Sequence, residues 1–408
     1  MARLPDGRVG FAAGVAPGDS VAPGVVHKHK GFVRAEDVRL VEAGPARVSP
    51  PCPIADRCGG CDWMHLSLAA QREHKRGLVA EALRRTGGFT RLPEITFVAE
   101  GPDLGYRRRL RVHVGADGRV GFFAPRSHDV VEVERCLVAD ADVNRALAAL
   151  RAALAAHSTA ARALEAVEIR SAPEEPRIAV SLFPRRGVDA SMLASVVAAL
   201  APLASVSVAG QAGERVVQRL PLVDGVALDA PPGIFTQVNW HVNRRVIADL
   251  VAEAKRRGVA RVLDLYAGAG NFTLPLAAAG LDVLAVEQDP RAVRAGRHAA
   301  EAAGLRARLR HADAEREAGQ LARRGERFDL VVLDPPRAGA GAAIDHVAAL
   351  AERAVALVSC DPVTLARDLR RLTAQDFTLD AVCAYDMFPH THHVEVVAWC
   401  SRAFGRAR

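Results

Sequence analysis

A cysteine at the end of an apolar run is the residue best placed for chemistry in this 408-residue sequence. Residues 355–358 read Val-Ala-Leu-Val, Ser359 and Cys360 follow, and Pro362 ends the strand and opens a helical pattern. This pattern predicts a thiol at the C-terminal edge of a parallel sheet, where open α/β folds bind ligands. A small buried thiol is the alternative. A carboxylate in a later apolar strand, Glu395, favours covalent catalysis assisted by a base.

A glycine-rich turn after another predicted strand indicates a nucleotide-type cofactor. Residues 264–273 read DLYAGAGNFT, in which Gly268 and Gly270 let the backbone approach a ligand closely. Glu287 ends the next strand, where an acid can hold a ribose diol. A carboxylate at Asp264 would repel a pyrophosphate but attract the sulfonium and ammonium groups of S-adenosylmethionine. We therefore favour S-adenosylmethionine over NAD.

Acids also follow the next two predicted strands of a doubly wound α/β pattern. Asp313 and Asp334 would lie over the same crevice as Asp264 and Glu287, close to adenine and to the active site. A cap of the following helix is the alternative role for each acid.

Three clustered cysteines indicate a metal centre. Cys52, Cys58 and Cys61 stand in the sequence CPIADRCGGC, and Cys136 is the candidate fourth ligand. This three-plus-one arrangement suits an iron–sulfur cluster better than zinc, because zinc knuckles usually come as two short cysteine pairs. Unligated buried thiols are the alternative.

The composition is that of a globular protein with two or three domains. Half of the residues are apolar, but no apolar run is long enough to span a bilayer, and the N-terminus lacks the apolar core of a signal peptide. We expect a cytoplasmic protein without membrane contact and, by default, a monomer.

Basic residues indicate a polyanionic partner. The net charge is +7, and Arg107, Arg108 and Arg109 follow Tyr106 in a predicted strand. Adjacent arginines project to both faces of a strand, which favours RNA contact over a merely charged edge strand.

Seven motifs in this chain together resemble those of the S-adenosylmethionine-dependent RNA uracil-5-methyltransferases, in the branch that carries an iron–sulfur cluster. In chain order they are CPIADRCGGCDWMHL, GYRRRLRV, GIFTQVN, DLYAGAGNFTLPLA, LDPPRAG, SCDPVTLARDL and FPHTHHVE. The resemblance implies an α/β fold with three domains. A shortened TRAM-like β-barrel would cover residues 1–50, and an α+β domain for iron–sulfur and RNA binding would cover 51–230. A Rossmann-like class I methyltransferase domain with a mostly parallel seven-stranded sheet would cover 231–408.

The resemblance also implies roles for individual residues. Cys360 would be the nucleophile and Glu395 the base. A 4Fe–4S cluster would be held by Cys52, Cys58, Cys61 and Cys136. The cofactor pocket would be lined by Gln237, Tyr266, Asn271, Glu287, Asp313 and Asp334 around the two glycines. Asp361 stands where many relatives have Asn, and its charge is expected to raise the pKa of the thiol.

These features predict methyl transfer to carbon 5 of a uridine, with rRNA favoured over tRNA as the substrate. Addition of the Cys360 thiolate to carbon 6 would turn the uracil ring into an enolate, and Arg367 is a candidate cation to stabilise it. A helix-surface salt bridge is the alternative role of Arg367. The cluster is expected to be structural and to shape the RNA-binding domain. Other possibilities are an amino-methylating enzyme, because Asp334-Pro335-Pro336-Arg337 is similar to an Asp-Pro-Pro-Tyr motif, and a non-catalytic RNA-binding factor.

Overall fold

The described residues among the first fifty form short strands that are joined around the buried carboxylate of Asp19. The computed structural model describes residues 2, 3, 7–36, 38–173, 175–210 and 218–402. The carboxylate of Asp19 accepts hydrogen bonds from the backbone of Ala16 and Gly44 and from the guanidinium of Arg47. The strands of this region are β1 Ala2–Arg3, β2 Val9–Ala12, β3 Ser20–Pro23, β4 Val26–Lys28, β5 Phe32–Ala35 and β6 Val38–Glu42. One small sheet has the order β1-β2-β5-β4, and β3 pairs with β6.

Turns lead from this region into helix α1 (Leu68–Arg85), and strand β7 (Ile95–Val98) follows. The helix begins at Ser67, whose hydroxyl accepts a hydrogen bond from the backbone N–H of Ala70 at 3.3 Å. One face of the helix is buried, and its side chains are spaced four residues apart: Gln71, Lys75, Val79 and Leu83. This face therefore carries both polar and apolar groups into the interior.

A mostly antiparallel sheet with two covering helices forms the middle of the chain. Its elements are β8 Arg109–Val114, β9 Val120–Phe123, β10 Val130–Glu132, α2 Ala141–Ala156, α3 Ser158–Ala163, β11 Leu164–Ala172, β12 Glu175–Pro184, α4 Ala194–Leu200, β13 Ala204–Val208, β14 Gln218–Val223 and β15 Val226–Ala230. The sheet order is β10-β9-β8-β11-β12-β13, and β14 pairs with β15. Leucines of α2 and α4 pack on the apolar side of β11 and β12. The predicted α+β character of this region is confirmed.

The C-terminal part alternates strands and helices as predicted. Its elements are α5 Trp240–Arg256, β16 Arg261–Leu265, α6 Thr273–Ala278, β17 Asp282–Glu287, α7 Pro290–Ala302, β18 Ala307–His311, α8 Ala314–Arg323, β19 Phe328–Leu333, α9 Ala343–Leu350, β20 Ala351–Ser359, α10 Pro362–Thr373, β21 Phe377–Tyr385 and β22 Glu395–Arg402. The central strands β16, β19 and β20 are buried on both faces, as expected for a parallel sheet covered by helices. The sheet is parallel except at β22, which runs antiparallel to β20 and β21. No helix within the described ranges is long and apolar enough to cross a membrane.

The predicted seven strands of the C-terminal region, β16 to β22, are confirmed, and one strand from an earlier part of the chain joins them. The large sheet has the order β18-β17-β16-β19-β20-β22-β21-β7. The added strand β7 pairs in parallel with β21, from Ile95 opposite Val382 to Val98 opposite Tyr385. Val79 and Leu83 of α1 belong to the same apolar core as α10 and β21. The predicted central region therefore supplies one helix and one strand to the C-terminal core.

Because α1 packs into this core, shortening one of its buried side chains should destabilise the C-terminal sheet. We expect Leu83→Ala, at a side chain only 1% exposed, to lower the free energy of unfolding by about 2–5 kcal/mol. Leu78→Ala on the same helix is the control, because Leu78 is 39% exposed and its loss should change stability by less than about 0.5 kcal/mol. Urea unfolding followed by tryptophan fluorescence measures both. Equal losses in the two variants would contradict this packing.

Candidate active site

The C-terminal ends of the central strands bring the candidate catalytic groups together. Glu287 ends β17, Asp334 follows β19, and Cys360 follows β20. Ser359 pairs with Val396, so the next pair in the same register is Cys360 with Glu395. Residues directly opposite in antiparallel strands have Cα atoms about 5 Å apart. The structure thus places the predicted nucleophile and the predicted base side by side.

The Cys360 thiol is half-buried and lies among charged groups. Burial raises its pKa, the carboxylates of Glu395 and Asp334 raise it further, and the Arg337 guanidinium opposes them. Asp361, whose charge was expected to raise the pKa of this thiol, has a different role. Its Oδ1 accepts hydrogen bonds from the backbone N–H groups of Val363 and Thr364 at 2.9 and 2.8 Å, so it caps α10.

Glu395 is a buried acid, only 3% exposed. Burial raises its pKa well above the ordinary value, and the nearby charge of Asp334 adds to the effect. Burial also raises the pKa of Asp334 to about 7, with a contribution from Asp264. A carboxylate with a raised pKa holds a proton more tightly, so Glu395 suits the role of a base.

Arg337 is a site residue that sequence reasoning missed. Its guanidinium lies close enough to Cys360 to lower the pKa of the thiol, and its Nη2 lies 3.4 Å from Nε2 of His393. The available signal was its position in LDPPRAG, three residues after Asp334. Arg367, the cation weighed from the sequence, instead donates to the carbonyl of Ala338 and pairs with Asp368, as its alternative role predicted.

The glycine-rich turn is fixed by one carboxylate. The N–H of Gly268 donates a hydrogen bond to Oε2 of Glu287 at 2.9 Å, and the N–H of Asp289 donates one to Oε1 of Glu287 at 2.7 Å. Gly270 has φ +103°, and a Cβ atom there would lie 2.9 Å from Leu274. Tyr266 adopts a positive φ of 64°, which is uncommon for a residue with a side chain. This turn therefore holds a specific, strained backbone next to Glu287.

Asp264 is fully buried before the turn. Its Oδ2 accepts a hydrogen bond from Oγ1 of Thr273 at 2.6 Å, whereas its Oδ1 has no hydrogen-bond partner among the described residues. Burial raises its pKa to about 7. An unsatisfied buried acceptor of this kind fits a site that is completed by a ligand.

The other predicted cofactor residues have mixed surroundings. Asn271 exchanges two amide hydrogen bonds with Asn243, at 2.9 and 3.0 Å. Gln237 is half-buried in the segment before α5. Asp313 is exposed, and its Oδ1 accepts a hydrogen bond from the N–H of Arg316 at 2.9 Å, which makes it the cap of α8. Its contact with adenine stays a prediction.

The four predicted metal-binding cysteines line one cavity: Cys52, Cys58, Cys61 and Cys136. Burial raises the pKa of Cys61 to about 12, and the charge of Cys136 raises it further. Even so, no group of three Cys, His, Asp or Glu side chains in the described part of the chain is arranged to hold a metal ion. The cavity is also lined by Arg107, whose buried Nε lacks a hydrogen-bond partner in that same part of the chain.

Two of the three adjacent arginines pair with carboxylates of the protein, and the third lines the cysteine cavity. Arg107 faces the cysteines, Arg108 pairs with Asp140 at 3.3 Å, and Arg109 pairs with Glu168 at 3.1 Å. Their predicted contact with RNA stays a prediction.

Comparison with known proteins identifies the family. A family model described as tRNA (Uracil-5-)-methyltransferase matches residues 93–403. The chain belongs to this family. A Chromohalobacter salexigens protein named 23S rRNA (uracil(1939)-C(5))-methyltransferase RlmD is 34% identical, over 100% of this chain and 88% of the relative. The Pseudomonas putida protein of the same name is 36% identical, over 96% and 89%.

A solved structure shows the same fold as this family member. The Pyrococcus abyssi tRNA (uracil-54, C5)-methyltransferase in complex with S-adenosyl-L-homocysteine matches with a TM-score of 0.75 and 24% identity, over 95% of each chain. The Rossmann-like methyltransferase fold is thereby confirmed.

The charges around Cys360 predict the pH dependence of thiol alkylation in this uracil-5-methyltransferase family member. The thiolate is the reactive form, so alkylation by iodoacetamide should rise about tenfold per pH unit below the pKa. Arg337→Gln should move the profile to higher pH and Asp334→Asn to lower pH. Mass spectrometry of the Cys360 peptide measures the rate, and Cys383 serves as an internal control. Unchanged profiles would show that these charges do not act on the thiol.

Proposed function

We propose that the protein transfers a methyl group from S-adenosylmethionine to carbon 5 of a uridine in 23S rRNA, with Cys360 as nucleophile and Glu395 as base. The observation that carries this proposal is the register that sets Cys360 opposite the buried Glu395 at the ends of β20 and β22. The names of the full-length relatives support the substrate.

The reaction requires a nucleophile because carbon 5 of uracil is a weak nucleophile. The Cys360 thiolate adds to carbon 6, and the electron pair of the 5,6 double bond then gives carbon 5 carbanion character. S-adenosylmethionine would supply the methyl group to carbon 5, as its S–CH3 bond breaks and the neutral thioether S-adenosylhomocysteine is left. Glu395 next removes the proton from carbon 5, and the thiolate leaves as the double bond re-forms. Arg337 favours the thiolate form of Cys360 before addition and after elimination.

The charge of the site suits a cationic cofactor. Asp264, Glu287, Asp334 and Glu395 lie at or near the same strand ends. Such an excess of acids attracts a sulfonium and an ammonium group and disfavours a phosphate. Glu287 is positioned to hold a ribose, and the turn at Gly268 and Gly270 permits close approach of the cofactor. Gln237, Tyr266, Asn271, Asp313 and Asp334 complete the proposed pocket.

The substrate uridine must leave its base stack to reach Cys360, which favours an unpaired RNA segment. Phe235 precedes Gln237 by two residues, is 66% exposed, and lies 5.4 Å from the guanidinium of Arg109. An exposed aromatic ring beside a cation is suited to stacking on a base.

A 4Fe–4S cluster is the group that we propose for the cysteine cavity. Four thiolates and a cluster together carry negative charge, and Arg107, whose buried Nε has no hydrogen-bond partner among the described residues, provides the matching cation. Four thiolates on one zinc would lie about 3.8 Å apart, because each Zn–S bond is about 2.3 Å. A cluster holds its thiolates further apart, since each binds a different iron. The lack of a single-ion geometry among the described cysteines is therefore compatible with a cluster.

Methylation of transcribed RNA tests the proposed activity. We expect the protein to methylate a 23S rRNA transcript at carbon 5 of one uridine and to leave tRNA transcripts unmodified, as read by mass mapping of 5-methyluridine. Cys360→Ala should reduce the rate by at least about 1,000-fold. Cys383→Ala, in β21, is the matched control and should retain activity. Methylation of tRNA alone would favour the alternative substrate. Undiminished activity of Cys360→Ala would contradict the mechanism and favour an amino-methylating enzyme.

Anaerobic purification tests the cluster. We expect about four iron and four sulfide ions per chain, with broad visible absorbance. Substitution of Cys52, Cys58, Cys61 or Cys136 by Ser should remove both, whereas Cys383→Ser should retain them. A colourless protein with about one zinc per chain would contradict the assignment.

A further inference from the structure

We propose that the buried face of α1 is a positioning device for the catalytic base. Lys75 and Gln71 hold the loop of residues 386–394, which leads directly into Glu395. This inference rests on the proposed function, because it assigns to α1 a role in the step that Glu395 carries out.

The loop joins β21, which ends at Tyr385, to β22, which begins at Glu395. The loop itself is irregular: His390 has a positive φ of 67°, and Oγ1 of Thr391 donates a hydrogen bond to the carbonyl of Phe388 at 2.9 Å. A loop with few regular hydrogen bonds needs outside partners to hold one conformation.

Lys75 supplies the first of these partners. Its side chain is 0% exposed, and its Nζ donates hydrogen bonds to Oδ1 of Asp386 at 2.6 Å and to the carbonyl of Phe388 at 2.9 Å. Burial lowers the pKa of Lys75, and the charge of Asp386, itself 2% exposed, opposes this change. A buried ion pair adds little stability compared with apolar packing of similar volume. Its geometric effect here is to fix the start of the loop on α1.

Gln71 supplies the second partner, one helical turn earlier. Its side chain is 0% exposed, and its Oε1 accepts a hydrogen bond from the N–H of His390 at 2.8 Å. Its Nε2 donates to the carbonyl of Leu66 at 2.9 Å and to that of Trp63 at 3.1 Å. The same side chain thus joins the middle of the loop to the turn before α1.

The segment directly after Cys61 holds the rest of the loop. The N–H of Trp63 donates to the carbonyl of His390 at 3.0 Å. The carboxylate of Asp62 accepts hydrogen bonds from the N–H of His392 at 3.1 Å and from its ring Nδ1 at 2.7 Å. The loop is therefore held on one side by α1 and on another by the cysteine segment.

These contacts matter most for one step of the reaction. Cys360 lies between β20 and α10, so its attack on carbon 6 does not depend on the loop. Removal of the proton from carbon 5 does depend on it, because Glu395 is the first residue after the loop. A displacement of about 1 Å in a reacting group can slow a step about 100-fold. Loosening the loop should therefore slow elimination and leave the methylated RNA covalently attached to Cys360.

The experiment compares variants of the full chain with a 23S rRNA transcript and S-adenosylmethionine. Lys75→Met leaves the buried Asp386 with only Nε of Arg72, at 3.4 Å from its Oδ2, so Lys75→Met/Asp386→Leu is added as a variant that removes the buried pair and keeps an apolar core. We expect kcat to fall about 10- to 100-fold in both variants and kcat/KM for RNA to stay unchanged, because the steps before elimination do not involve the loop. A denaturing gel should show a protein–RNA adduct that accumulates, as it should in Glu395→Gln.

The matched control is Arg85→Met, which breaks the exposed pair between Arg85 and Glu81 on the same helix. It should leave turnover and adduct unchanged. Wild-type turnover of the folded double variant would overturn the proposal, and so would equal slowing of adduct formation and of turnover. Absence of methylation in the unmodified protein would instead contradict the proposed function, so the two failures are distinguishable.

Discussion

The antiparallel pairing of β20 with β22 is the constraint on which the catalytic arrangement depends. The strands from β16 to β20 run parallel to one another, so their C-terminal ends meet at one edge of the sheet. Strand β22 runs in the opposite direction, so its N-terminus lies at that edge. Glu395 is the first residue of β22 and therefore stands opposite Cys360. A slip of one residue would turn the Glu395 side chain to the other face of the sheet. The buried apolar pairs along these strands hold the register.

The second constraint is electrostatic. Asp264, Asp334 and Glu395 are acids at or near the same crevice, and burial raises the pKa of each. These carboxyl groups repel one another when they are ionised, so nearby positive charge favours their ionised forms. Arg337 supplies part of that positive charge beside Cys360. A cationic ligand would supply more, so the charge of the cofactor would influence the basicity of Glu395.

Local sequence predicted those features that depend on neighbours in the chain. The apolar run before Cys360, the glycine turn after β16 and the acid that ends β17 are each readable within a few residues. The sequence could not reveal the pair between Lys75 and Asp386, whose residues are 311 positions apart. It could not reveal the pairing of β7 with β21 for the same reason, because partners of a short strand are chosen by the tertiary fold. The expected effect of Asp361 on the pKa of the thiol was wrong because its carboxylate accepts hydrogen bonds from backbone N–H groups of α10.

The position of β7 makes the central region inseparable from the catalytic core. The N–H of Asp386 donates to the carbonyl of Val98, the last residue of β7, at 2.9 Å, so the strand and α1 meet the same loop. The cysteine segment reaches that loop through Asp62. A cluster in the cavity would stiffen this segment by cross-linking four cysteines, because each ligand bond fixes a thiol. The segment that bears the cysteines therefore also contacts the loop before the proposed base.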